Sequence, residues 1–455
     1  MAFKSNRRLT NQSLPKKNTK IPLKRSLSGF ELEMFTLTSD GSIDNSGKLL
    51  RLAEKKGMPV QEESVKSFIE LTSMPHQRLN LSNIDLAEKT ILLFDIAEKN
   101  GYNLYPFGTY PGKNDPVTIK SKRYDIHKAI LGEENQRKAG LTCGYHQHYT
   151  LPRGMFDQKK RFIKYASRSK VSRTLVDSYN MLIAIDPILT LLLQSSPFVD
   201  NKFFAKDSRV IMYRGGTQLN YPMGVYAKRK IFGALPPYKY TVQDLISLLK
   251  RKSDTFKRLM ISSGFKDKDI INNKEPLDYT WNPVKINKRG TLEYRGADAN
   301  FYSIIVAVST IIKFCLRNIQ QDFNLVVPMD IEISDSFRVE NNMIFIPPHS
   351  IVRNKLQKSS AYKGFNDKDL YIYTKNFFKF IKKRINNEYL PLIKPIQKII
   401  SKKESISDNM VKNMKKMGYY DKIPPEVAKE FALKYSKKYY NDLLKTKELI
   451  ESIEL

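Results

Sequence analysis

The stretch Gly290-Thr291-Leu292-Glu293-Tyr294-Arg295-Gly296-Ala297-Asp298 decides the fold of this 455-residue chain. Polar Thr291, Glu293 and Arg295 alternate with apolar residues, which is the period of a β-strand. On a strand, Glu293 and Arg295 project from the same face, about 7 Å apart. Such a pair is either a solvated ion pair or a metal-binding carboxylate beside a phosphate-binding arginine. The choice between them depends on what the rest of the chain places nearby.

Two other segments repeat this spacing of polar residues. Glu31 and Glu33 alternate with apolar residues near the start of the chain, and His146 and His148 occupy a similar segment. Two carboxylates on one strand face repel each other unless they are solvated or bridged by a cation. Imidazole can be a metal ligand or a proton carrier. If the three strands share a sheet, this donor set suits Mg²⁺ or Mn²⁺ better than zinc.

Two further arginines, Arg209 and Arg214, are candidate clamps for phosphate or carboxylate, because guanidinium can bind either group through two hydrogen bonds. Solvated surface arginines are the alternative interpretation. Together with hard metal ligands, such arginines make a nucleoside triphosphate with its metal ions the expected occupant of the face.

Composition limits the partners and the compartment. The net charge is +32, from 78 basic and 46 acidic residues, which favours anionic partners, although it also fits a general compositional bias. Cys143 and Cys315 are too few for a disulfide framework, which indicates a reducing, cytoplasmic location. The apolar stretches Met181–Leu193 and Ile304–Leu316 are shorter than a membrane span needs, so we expect buried helices.

The predicted fold is of the α+β class. A mainly antiparallel sheet forms an open active-site face, flanked by helices, and a helical region follows at the C-terminus. We expect a disordered basic tail over residues 1–27, without a secretory signal, a catalytic domain over 28–346 and a helical region rich in Lys and Tyr over 347–455. After a turn at Gly41–Asn45, a mixed region with helix is expected up to about Ser73, and Asn83 is expected to cap a helix over Ile84–Lys99.

Five motifs in order resemble the glutamate–cysteine ligase-like carboxylate–amine ligases, within the glutamine synthetase superfold, whose sheet architecture guanido kinases share. Gly29–Met34 is similar to the opening Glu-x-Glu strand of that family, and Phe107–Pro111 to its Gly-Thr-His-Pro turn. Cys143–His148 is similar to its Cys-Gly-x-His-x-His strand. Ser195–Phe198 together with Arg209 is similar to a fourth motif of that family, and Gly290–Asp298 is similar to a fifth. Tyr110 stands where the family has histidine, and Ser195 where asparagine is common.

The resemblance implies an ATP-dependent ligase that uses Mg²⁺ or Mn²⁺. ATP would phosphorylate the side-chain carboxylate of an amino acid, expected to be glutamate, and an amine such as cysteine would displace the phosphate. The implied catalytic residues are Glu293, Arg295 and Arg209, and the nucleotide contacts are Arg295 and Arg214. The implied metal ligands are Glu31, Glu33 and Glu293, with one of His146 and His148 beside them.

Two alternatives stay open. An inactive relative could bind nucleic acid or another polyanion through its basic surface, since the Lys-rich ends of the chain supply positive charge. Phosphoryl transfer to a guanidino compound is a further chemistry that the same superfold serves. The amine acceptor and the oligomeric state, including assembly of identical subunits, are not defined by the sequence.

Overall fold

A computed structural model describes residues 26–165, 169–266, 268–269, 277–419 and 421–453. The tail predicted over residues 1–27 therefore lies almost entirely outside the described residues. The division at residue 346 stays a prediction. Helical side chains on both sides of it, such as Ile305 and Tyr439, belong to the same hydrophobic core.

A seven-stranded sheet organises the molecule, and every neighbouring pair in it is antiparallel. The strands of the described residues are β1 (Ser28–Thr38), β2 (Val60–Glu62), β3 (Phe68–Thr72), β4 (Tyr102–Tyr105), β5 (Gly144–Thr150), β6 (Phe156–Asp157), β7 (Phe162–Ile163), β8 (Phe198–Val199), β9 (Lys202–Phe203), β10 (Val284–Asn287), β11 (Thr291–Asp298), β12 (Leu325–Pro328), β13 (Val339–Glu340) and β14 (Met343–Ile346). The large sheet has the order β10–β11–β5–β1–β3–β2, and β4 pairs with the far half of β1. This architecture confirms the predicted fold class.

Helices cover the sheet and extend to the C-terminus. They are α1 (Gly47–Lys55), α2 (Leu79–Lys99), α3 (Lys122–Leu131), α4 (Glu133–Ala139), α5 (Lys170–Leu193), α6 (Ser208–Arg214), α7 (Lys230–Gly233), α8 (Val242–Ser262), α9 (Tyr302–Asp322), α10 (Gln357–Tyr362), α11 (Lys368–Lys382), α12 (Lys394–Lys402), α13 (Ile406–Lys416) and α14 (Pro425–Glu451). Helices α5 and α9 pack against each other, and α5 also lies on β11.

The two most apolar helices are buried, as predicted. By length and composition α5 and α9 could each cross a membrane, but 100% and 83% of their most apolar windows are buried inside the protein. In β1, Phe30, Leu32 and Met34 face the core on one side of the sheet, which leaves Glu31 and Glu33 on the other side. Burial of these apolar surfaces fixes which polar side chains share the opposite face.

One local prediction is incomplete and another is wrong. Residues 45–73 contain one helix, α1, followed by the β2–β3 hairpin, so this segment adds two strands to the sheet. Helix α2 begins at Leu79, and Asn83 lies within it, buried, with its side-chain amide donating to Ser309 Oγ at 3.3 Å. Tertiary packing against α9 explains this asparagine, whereas a capping role does not.

A buried lysine on α8 gives the first testable prediction. Lys252 Nζ donates to Thr280 Oγ1 at 3.1 Å and to Asn282 Oδ1 at 2.6 Å, and burial lowers its pKa to about 7. In the unfolded chain the pKa of a lysine is about 10.4. Folding therefore carries a free-energy cost, because burial disfavours the charged form of Lys252. This cost is absent above about pH 10.4 and reaches its full size below about pH 7. We expect the stability of Lys252→Met relative to wild type to improve by up to about 1.4 kcal/mol per pH unit as pH falls from 10 to 7.

Urea unfolding at several pH values measures this difference. Changes in packing and the loss of hydrogen bonds in Lys252→Met shift the stability difference by the same amount at every pH, so they do not alter its slope against pH. A difference that is independent of pH between 7 and 10 would contradict a buried, deprotonated Lys252.

Candidate active site

The register of the large sheet places the predicted polar residues in one row. Glu31 on β1 lies opposite His146 on β5, and His148 lies opposite Glu293 on β11. Directly opposed residues in an antiparallel pair project from the same face. The three strands predicted from the sequence are therefore neighbours, in the order β1–β5–β11.

The row continues on both sides with residues that the sequence analysis missed. Glu70 on β3 lies opposite Glu33, and Lys285 on β10 lies opposite Glu293. Glu63, just after β2, has a carboxylate oxygen within 4.8 Å of those of Glu33 and Glu70. Glu70 is a single acid in an otherwise apolar strand, Phe-Ile-Glu-Leu-Thr, and that pattern was the available signal. The sequence analysis predicted only a mixed region with helix up to about Ser73, so this strand was not recognised.

One half of the row has an excess of negative charge. Burial, followed by the charge of Glu63, raises the pKa of Glu33 to about 7. Burial and the charges of Glu31, Glu63 and Glu33 raise the pKa of Glu70 well above its ordinary value. These carboxylates disfavour ionisation in one another, so the site is prepared for a cation.

The other half is balanced by basic side chains. Glu293 is 1% exposed and lies 3.1 Å from Arg295 Nη1 and 3.5 Å from Lys285 Nζ. Burial alone would raise its pKa, but the charges of Lys285 and Arg295 lower the pKa of Glu293 to about 2. Glu293 is therefore ionised, and its negative charge in turn holds the guanidinium of Arg295 beside the row.

Arg209 supports the strand that carries this pair. The pairing of β5 and β11 shifts register between Tyr294 and Ala297, which marks a β-bulge at Arg295 and Gly296. Arg209 Nη1 donates to the Arg295 carbonyl oxygen at 3.0 Å, and its guanidinium lies over the Tyr213 ring. Arg209 therefore lies next to the row, where its guanidinium holds the bulged backbone in place.

Arg214 lies behind the row in a buried ion pair. Its Nη1 and Nη2 donate to the two carboxylate oxygens of Asp186, at 2.5 and 2.8 Å. Arg214 and Asp186 are 3% and 0% exposed. Because this pair occupies the guanidinium fork, Arg214 is not retained as a nucleotide contact. A small cavity of about 20 Å³ is lined by Arg209, Arg214 and Arg295 together with Tyr213 and Trp281.

The remaining motifs meet around Asp298 at the end of β11. Asp298 Oδ2 accepts a hydrogen bond from Ser195 N at 2.8 Å, and Ser195 Oγ accepts one from Gly108 N at 2.9 Å. A Cβ at Gly108 would lie 2.4 Å from Asp298 Cγ, so this close approach requires glycine. Tyr110 Oη donates to the Gly41 carbonyl oxygen at 2.9 Å. Ser195 and Tyr110, the two departures from the family pattern, thus have structural partners.

The donor atoms fit divalent cations. Three groups each bring ligand atoms within 4.8 Å of one another: Glu31, His148 and Glu293; Glu31, Glu70 and His146; Glu33, Glu63 and Glu70. His146 Nε2 is buried without a hydrogen-bond partner and lies 3.6 Å from Glu33 Oε1. His148 Nδ1 contacts Thr291 Oγ1 at 2.8 Å, which orients the ring as outer partners orient metal ligands. Oxygen-rich sets of this kind suit Mg²⁺ or Mn²⁺.

A metal-binding test follows from the crowded carboxylates. We expect MnCl₂ to raise the melting temperature of the wild type, since a ligand at a hundred times its Kd stabilises by about 2.7 kcal/mol. Glu70→Gln should raise the melting temperature without metal, because it removes like-charge repulsion, and should reduce the increment that MnCl₂ gives. Thermal unfolding with and without metal measures both effects.

Glu62→Gln is the matched control, because Glu62 is an exposed residue of the same hairpin. Glu62→Gln should have the same melting temperature as the wild type, both without metal and with MnCl₂. An undiminished metal increment in Glu70→Gln would show that the ion binds elsewhere.

Comparisons with known proteins agree with this geometry at the level of the fold. Neither a family model nor a curated protein matches the sequence. Glutamate–cysteine ligase from Francisella tularensis, solved in complex with AMP, aligns over 94% of this chain and 92% of its own, with a TM-score of 0.58 and 14% identity. This chain has the glutamate–cysteine ligase fold.

A second solved structure supports the same assignment of fold. A bifunctional glutathione synthetase from Pasteurella multocida aligns over 92% of this chain, with a TM-score of 0.56 and 12% identity. This chain spans 53% of the length of that protein. The resemblance predicted from five short motifs is thus confirmed for the glutamate–cysteine ligase fold, at an identity that leaves the chemistry to be argued from the site itself.

Proposed function

We propose that this protein is an ATP-dependent carboxylate–amine ligase that activates the side-chain carboxylate of an amino acid, expected to be glutamate. The observation that carries the proposal is the single row of side chains across β3, β1, β5, β11 and β10. It joins a cluster of unbalanced carboxylates to the Glu293–Arg295 pair. The first half suits metal ions and the second suits phosphate.

The first step would be phosphoryl transfer. A carboxylate is a poor electrophile, so its oxygen attacks the γ-phosphorus of ATP and ADP leaves, which yields an acyl phosphate. Bound Mg²⁺ or Mn²⁺ would supply charge neutralisation on the triphosphate. Arg295, whose side chain is 20% exposed, can stabilise negative charge on the transferring group, and Glu293 with the Arg209-supported bulge fixes its position.

The second step would form the amide. The amine attacks the acyl carbon, phosphate leaves with the former carboxylate oxygen, and the nitrogen loses one proton. No side-chain nucleophile is needed. Cys143 is 0% exposed, and burial raises the pKa of its thiol well above the ordinary value, which fits a core residue.

The amino-acid substrate would bind near the arginines beside the row. Arg295, whose side chain is 20% exposed, offers there a guanidinium that matches a carboxylate. Cysteine is one candidate for the amine, and other amino acids or polyamines fit the same chemistry.

The experiment is an ADP-release assay with Mg-ATP, glutamate and a panel of amines, followed by mass analysis of the product. We expect ADP release that requires both the amino acid and an amine, together with a product whose mass is the sum of the amino acid and the amine less one water. Release no greater than that of a Glu293→Gln variant would refute the proposal. A parallel incubation would replace the amino acid and amine with a guanidino compound. A phosphorylated guanidine as its product would support phosphoryl transfer to guanidino compounds in place of amide formation.

A further inference from the structure

A second cavity lies away from the carboxylate row, between the β8–β9 hairpin and α13. Its volume is about 560 Å³, within the usual range for sites that bind small molecules. The apolar part of its wall comes from the hairpin and from α13 with the residues that follow it, namely Phe198, Phe203, Val411, Met414 and Tyr419. This surface lies between the β8–β9 hairpin and the C-terminal helix α13, and the proposed chemistry assigns no role to either element.

The hairpin wall is held rigidly. Asp200 and Asn201 have positive φ values of 47° and 67°, as a tight hairpin turn requires. Phe198 packs edge-to-face on Phe431 of α14, and Ile423 N donates to the Asn201 carbonyl oxygen at 2.8 Å. Phe203 nevertheless remains 48% exposed at the cavity, so a large aromatic surface is kept in contact with water on a fixed support.

The charged part of the wall is strongly basic. Four lysines and one acid line the cavity, namely Lys206, Lys412, Lys415, Lys416 and Asp408. Asp408 contacts Lys206 and also accepts hydrogen bonds from Ser405, so its charge is already compensated. The three lysines of α13 follow the helical spacing i, i+3, i+4 and therefore stand on one side of the helix.

We infer that this cavity binds a small anion that carries an aromatic or aliphatic group. The rigid aromatic wall would receive the apolar part, and the lysines of α13 would bind the carboxylate, sulfonate or phosphate. Lys206 pairs with Asp408 and Lys412 Nζ lies 3.6 Å from Glu404 Oε1, but the lining still carries four cations and one anion, and this net positive charge makes the site complementary to negative charge. The inference is independent of the ligase proposal, because none of the lining residues belongs to the carboxylate row.

The site is also connected to the row through the backbone. Phe198 lies three residues after Ser195, which binds Asp298, and Lys206 lies three residues before Arg209, which binds the Arg295 carbonyl. Both chain segments thus run from the cavity to the end of β11. This gives a bound anion two direct structural links to the candidate active site.

The test uses anilinonaphthalene sulfonate as the probe and titration calorimetry as the readout. We expect one molecule to bind per chain, and expect phenylnaphthylamine, which has similar rings and no sulfonate, to bind at least about tenfold more weakly. The combined change Lys412→Glu, Lys415→Glu, Lys416→Glu should weaken sulfonate binding by about tenfold or more. Phe203→Ala, at an exposed position, should weaken both probes.

The matched control changes three lysines of α14 that have the same spacing and are also exposed: Lys434→Glu, Lys437→Glu, Lys438→Glu. This control alters the net charge equally and should leave the Kd within about twofold. Equal weakening by both triple variants would show a general charge effect, and an unchanged Kd in the α13 triple variant and in Phe203→Ala would place the probe elsewhere. Either result would overturn the inference.

Discussion

We expect Glu293→Gln to lower the ATP-dependent ligation rate by about 10²–10³-fold, the range found when one charge-stabilising group is removed from an active site. Glu293 is 1% exposed, lies opposite His148 and contacts both Arg295 and Lys285. The amide would keep the shape but remove the charge that holds these two cations and completes one metal-ligand group. Quenched-flow or steady-state measurement of ADP and amide gives the rate.

The control for this substitution is Glu340→Gln, which changes an exposed glutamate on β13 that pairs with Arg338 at 3.1 Å. It should retain the wild-type rate. Circular dichroism and melting temperature establish that both variants are folded. A Glu293→Gln rate within threefold of wild type would remove Glu293 from the chemistry.

The largest effect on stability should come from the buried pair behind the row. We expect Asp186→Leu to lower the free energy of unfolding by about 3–5 kcal/mol, since it leaves the Arg214 guanidinium buried without its counter-ion. Arg214→Met should cost a similar amount by leaving the carboxylate unpaired. The double variant Asp186→Leu, Arg214→Met should be more stable than either single variant, because no buried charge remains.

Urea unfolding of the four proteins gives the double-mutant cycle. Glu340→Ala, which breaks the exposed Arg338–Glu340 pair, should change stability by less than about 1 kcal/mol. Additive losses from the two single variants would contradict a coupled pair. Because Arg214 Nη2 also approaches the Gly296 carbonyl at 3.5 Å, the single variants should impair ligation as well.

The residues that carry the strongest strand periodicity were located correctly from sequence. Glu31, Glu33, His146, His148, Glu293 and Arg295 all follow a period of two between apolar neighbours, and that period alone fixes which face they share. Their convergence could not be derived from spacing, because strand order depends on long-range pairing. The five ordered motifs supplied that information through resemblance.

The missed residues have a common physical reason. Glu70 and Lys285 are single charges in short strands, and no local pattern distinguishes a buried charge with a cross-strand partner from an exposed one. Likewise, the bidentate contact between Arg214 and Asp186 joins residues 28 positions apart, so the sequence could not show that the guanidinium was already occupied. Asn83 was misassigned because its partner, Ser309, is 226 residues away.

The most direct test of the carboxylate-activation account follows one oxygen atom. Glutamate, and in parallel aspartate, would be labelled with heavy oxygen in the side-chain carboxylate and incubated with Mg-ATP, the protein and the amine panel. If an acyl phosphate forms, mass spectrometry of the released phosphate will find one labelled oxygen per amide produced. Amide or ADP formed with unlabelled phosphate would contradict carboxylate activation on this sheet.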